Sequence, residues 1–73
     1  MNNDVIARLK KDPDNSGSVL GWGVYRMAPW DLKGVFETKE DARLQAESAG
    51  EGYVVAFGSH RVGTDDFVGG HPE

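Results

Sequence analysis

GVFETKEDARLQAESAGEGYVVAFGS, residues 34–59, changes its hydrophobic period twice, and that change decides the fold. GVFET (34–38) is β-branched and aromatic and ends on a threonine, which reads as a strand entering a helix. Thr38 offers its hydroxyl to a first-turn amide, and Glu40 and Asp41 suit the positive end of a helix dipole. KEDARLQAESA (39–49) then carries Ala42, Ala46 and Ala49 at i, i+4 and i+7, an apolar stripe of small residues. Gly50 suits the left-handed position past a helix C-terminus, so the helix ends there. Small side chains let a helix lie close to a sheet, and Gly21 and Gly23 are expected beneath it. Leu44 lies about 200° around the helix from Ala42, at roughly 100° per residue, and faces away from that stripe.

The end of the quoted run, EGYVVAFGS (51–59), alternates Tyr53, Val55 and Phe57 with Val54 and Ala56. Both faces are apolar, which predicts a central strand covered on two sides. Upstream, VLGWGVYRM (19–27) reads as another strand, with Leu20, Trp22 and Val24 on one face and Gly21, Gly23, Tyr25 and Met27 on the other. APWDLKG connects it to GVFET, a link short enough for an antiparallel hairpin. Downstream, RVGTDDFV reads as a fourth, short strand or as an extension folding back through GSHR. The order β-β-α-β, with or without that last strand, predicts an α+β fold. Its sheet is expected to be three- to four-stranded and mainly antiparallel, packed by one alanine-rich helix.

Residues 1–18 are expected to form a short amphipathic helix and a flexible linker. Asn3 or Asp4 caps the helix, Val5, Ile6 and Leu9 share one side, and PDNSGS (13–18) is turn chemistry. Two to three turns are too few for stability without docking. The ββαβ core is placed at 19–63 and an acidic, flexible tail at 64–73. A chain of 73 residues forms one domain with a thin core, since a domain this small buries only about 60% of its unfolded surface. It contains no cysteine, which excludes disulfides and thiolate zinc sites.

The strand tryptophan in W-x-V (Trp22 to Val24), the strand-and-cap pattern V-F-x-T-K-x-x-A (Val35 to Ala42) and V-V-x-x-G (Val54 to Gly58) together resemble a family of short bacterial and phage-borne ββαβ domains. The resemblance covers roughly residues 20–60. The family carries no assigned activity, so the resemblance implies the fold and transfers no catalytic residue.

Chemistry is sparse. His60, Asp65, Asp66 and His71 would have to converge to hold a metal, and their spacing matches neither helical nor compact loop ligand motifs. Asp65-Asp66 is followed by Phe67 and lacks the later glutamate of a calcium loop. Ser59 and His60 are neighbours whose side chains point to opposite faces of a continuing strand, so no nucleophile and base pair up. GSVLGWG lacks the Lys-Ser/Thr of a phosphate-binding loop. No enzyme, cofactor or small-molecule substrate is expected.

A net charge of −4 argues against general binding to a phosphate backbone. Binding of single strands through Tyr25 and Trp30 beside Arg26, Lys33 and Arg61 stands as an alternative. No apolar run approaches the roughly 20 residues that span a bilayer, and no signal peptide opens the chain, so a cytoplasmic location is expected. The leading expectation is a protein-interaction module, an accessory or phage-encoded inhibitor docking on a larger protein, with self-association as the other reading. Its expected contact residues are Trp30, Tyr25, Leu32, Leu44 and Arg26, because Trp30 follows Pro29 in a connection and Trp is enriched at interface hot spots.

Overall fold

A computed structural model of the chain describes residues 7–70. Strand β1 (Lys10–Lys11) is followed by β2 (Ser18–Met27), β3 (Trp30–Phe36), helix α1 (Lys39–Ala49), β4 (Val54–Arg61) and β5 (Phe67–Gly69). β2 is the spine, apolar on both faces and hydrogen-bonded on both edges. β4 runs antiparallel to it from Ser18 to Tyr25. The opposite edge is shared end to end, with β1 facing Val19 and Leu20 and β3 facing Trp22 to Met27. β5 pairs antiparallel with the Gly58–His60 part of β4.

The α+β class and the antiparallel sheet stand, but the sheet has five strands among the described residues rather than three or four. β1 is a pair of lysines without apolar alternation, so period gives no sign of it. β3 starts at Trp30 rather than Gly34, because the hairpin turns tightly at Ala28-Pro29, whose peptide bond is cis. Pro, Asp and Lys in APWDLKG disguised this half of the strand as a loop. The register slips between Val24, opposite Gly34, and Tyr25, opposite Leu32, leaving Lys33 as the extra residue of a bulge.

The helix begins as its sequence dictates: Thr38 Oγ1 accepts from the Asp41 N–H at 3.1 Å. It ends at Gly50, whose φ of 108° suits glycine and whose N–H donates to the Ala46 carbonyl. Ala42 is fully buried against the sheet, and Ala46 and Ala49 are partly buried. The face it covers is that of Val24, also fully buried, and not the glycine face. Alternation puts Gly21 and Gly23 on the opposite side, where a second cluster of Leu9, Val19, Val35 and Phe67 forms, with Tyr25 and Leu32 against it.

That second face is closed by curling. Phe67 comes from the edge strand β5, yet its ring lies over Gly23 on β2, where an added Cβ would stand 2.5 Å from Cζ. A Cβ on Gly58 would run into the Val68 backbone and stand 2.8 Å from Gly69 Cα. Glycine at these positions allows β5 to fold over the face. Phe67 and β5 thus belong to the packed body, in a stretch expected to be a flexible tail.

At the other end Leu9 is buried. The turn after β1 is tied by Asp12, whose carboxylate accepts from the Asp14 N–H, Asn15 Nδ2 and Ser59 Oγ. Ala7 and Arg8 have helical backbone, and the remainder of the expected N-terminal helix lies outside the described residues. No helix among the described residues is long and apolar enough to cross a membrane.

Candidate functional site

Strand alternation collects the hairpin end of the curled face into one apolar surface. Tyr25 sits opposite Leu32 and Val54, and Met27 sits opposite Trp30. The Tyr25 ring is 5.5 Å from the Trp30 ring on one side and 5.5 Å from Phe67 on the other. Tyr25 and Leu32 are half-buried in this row, whereas Met27 is 70% exposed, Val54 47% and Trp30 37%. Trp30 is also a strut: its indole N–H donates to the Asp65 carbonyl at 2.9 Å, joining the β2–β3 hairpin to the β4–β5 turn.

Of the five residues expected to contact a partner, the structure brings together Tyr25, Leu32 and Trp30. Arg26 alternates to the opposite face, where its guanidinium lies 5.1 Å from the Tyr53 ring centroid and its Nε donates to the Pro29 carbonyl. Leu44 is 63% exposed on the outer side of α1, apart from this surface. Met27 and Val54 were missed. Met27 read as a strand's last residue and Val54 as half of a core Val-Val pair, and only the register shows both beyond the covering strands.

A charged cluster braces the same end from the helix side. The Tyr53 hydroxyl donates to the Asp31 carboxylate, and Lys33 Nζ is 3.2 Å from the same carboxylate oxygen. The Tyr53 hydroxyl first, and Lys33 second, hold the Asp31 carboxyl below its ordinary 3.8. Asp31 in turn raises Lys33 above its ordinary 10.5. The cluster joins β3 to the start of β4 across the end of β2.

Of the polar residues weighed for a metal or hydrolytic site, Ser59, His60, Asp65 and Asp66 lie among the described residues. Among the described residues no three His, Asp or Glu side chains converge. His60 is 1% exposed, and its Nδ1 lies 2.9 Å from the Asp66 backbone carbonyl rather than a carboxylate. Ser59 pairs across the strands with Leu20 and His60 with Val19, so their side chains do point to opposite faces. His71 lies outside the described residues.

In the turn after β1, Asp12, Asp14, Ser16 and Gly17 follow the D-x-D-x-S-G order that opens a calcium loop. The loop's twelfth position is Gly23 instead of glutamate, and both Asp12 oxygens already accept protein hydrogen bonds. Asp12 therefore organises the turn and anchors Ser59.

Comparison with protein-family models, with curated proteins and with solved structures finds no match.

Proposed function

We propose that this chain is a small non-enzymatic protein-interaction module that docks through the hairpin end of its curled face. The observation that carries the reading is the run of Met27, Trp30 and Val54, exposed side by side on one face. Tyr25 and Leu32 lie behind them as a packed floor. An exposed apolar group backed by a rigid aromatic row is the anatomy of an interface core, where aromatic residues and Met are enriched. The Trp30–Asp65 hydrogen bond keeps the surface preformed, so little ordering is required on binding. The occupant is an apolar segment of a larger protein, to which this chain acts as an accessory or inhibitor.

The test compares affinity capture by the wild type and by the double variant Met27→Glu/Val54→Glu, both verified as folded by circular dichroism. A protein held by the wild type and lost by the variant supports the reading. Identical capture by both refutes it. Sedimentation over a range of concentrations separates self-association, which would appear as a dimer that the same variant dissolves.

A further inference from the structure

The helix does not cover all of its own face. On that face Trp22 of β2 lies in register with Phe57 of β4, and Leu20 follows two residues earlier on β2, opposite Ser59. Trp22 and Phe57 meet edge to face at 5.3 Å. Ahead of the helix start lies an open groove of ≈ 260 Å³ lined by Arg8, Leu9, Lys10, Leu20, Gly21, Glu37 and Phe57, with no residue of α1 in its wall. Lys10 shares the face of Leu20, its partner in the ladder. From the other side Lys39 places its ammonium 5.6 Å from the Trp22 ring centroid.

The charge around this groove is balanced where the whole chain is negative, with Arg8, Lys10 and Lys39 against Glu37, Glu40 and Asp41. Arg8 is paired with Glu37, and Lys10 and Lys39 have no carboxylate within salt-bridge distance among the described residues. Two cations thus flank a half-buried aromatic floor in a chain whose net charge is −4. Rings that stack bases between cations that meet phosphates are the elements of single-strand recognition. The negative net charge excludes a long basic stripe but not one local site of this kind.

We propose that this groove binds single-stranded nucleic acid, with a base against Phe57 beside Trp22 and the flanking phosphates at Lys10 and Lys39. The site is separate from the hairpin-end surface and uses none of its residues. The first-turn acids Glu40 and Asp41 weaken the local field, so binding is weak and strongest at low salt. Two phosphate contacts give a slope of about −1.4 in log affinity against log salt concentration.

The experiment is fluorescence anisotropy of a labelled oligothymidylate titrated with the full chain at low ionic strength. Saturable binding is expected, weakened at least tenfold by Lys10→Glu/Lys39→Glu and several-fold by Phe57→Leu. Met27→Glu/Val54→Glu should leave it unchanged, which keeps this outcome independent of the protein-docking proposal. The two lysines are exposed, so their variant tests the site even where Phe57→Leu unfolds the chain. Absence of saturable binding, or equal binding by the lysine variant, would overturn the proposal, as would loss of binding in the hairpin-end variant.

Discussion

Replacing Trp30 separates packing from recognition, because this side chain is both an exposed part of the apolar surface and a strut of the fold. Trp30 is 37% exposed, stacks on Tyr25 and donates to the Asp65 carbonyl. A fully buried aromatic truncated to alanine costs about 3–5 kcal/mol; scaled for the exposed third, Trp30→Ala costs about 2–3 kcal/mol. A domain of this size has roughly 4–11 kcal/mol of stability, so the variant stays folded in buffer with a reduced margin. With an m-value near 1 kcal/mol per molar urea, the unfolding midpoint falls by about 2–3 M.

Trp30→Phe keeps the ring and removes the donor, and loses about 1 kcal/mol. Urea titrations followed by circular dichroism on the three proteins measure both numbers. A midpoint shift below about 0.5 M for Trp30→Ala would refute the strut and leave Trp30 as a recognition residue alone. Equal loss in both variants would assign the whole effect to the hydrogen bond.

Three more outcomes are expected. Gly58→Ala drives a Cβ into the Val68 backbone, so it should detach β5 and cost more than about 2 kcal/mol, read as lost hydrogen-exchange protection at Phe67 and Val68. Asp12→Ala leaves the Ser59 hydroxyl buried without its acceptor and should cost about 2–4 kcal/mol; adding Ser59→Ala should recover part of the loss, and strict additivity would show the pair to be uncoupled.

The Asp31–Lys33 pair predicts a pH window. Because the folded Asp31 value is depressed, its contribution is present above 3.8 and is lost as pH falls through the lower folded value. Because the Lys33 value is raised, its contribution is present below 10.5 and is lost as pH rises through the higher folded value. The melting-temperature gap between wild type and Asp31→Asn should therefore be flat near neutrality and close in acid. A gap that persists when Asp31 is protonated would show that the carboxylate charge contributes nothing.

The chain itself determined what depends on near neighbours. Thr38, the alanine stripe and Gly50 fix a helix with its start, face and end, because caps and periodicity act within a few residues. The alternation of β4 marked it as an interior strand with two apolar faces, whereas the central place of β2 came from its pairing on both edges. Tertiary structure decided which face met which layer. The glycines were expected under the helix, yet their missing side chains make room for Phe67 and Val35, which arrive from β5 and β3.

Distant pairing also decided the elements without a period of their own: the lysines of β1 exist as a strand only because the edge of β2 accepts them. The same holds for the candidate surface. Trp30 was legible as an unusual aromatic after a proline, and alternation alone already parts Arg26 from Tyr25 and Met27, whereas register sets Trp30 opposite Met27 and Val54 opposite Tyr25, and Leu44 stays apart on the helix. Exposure is a property of what other segments cover, and no local stretch of sequence encodes it.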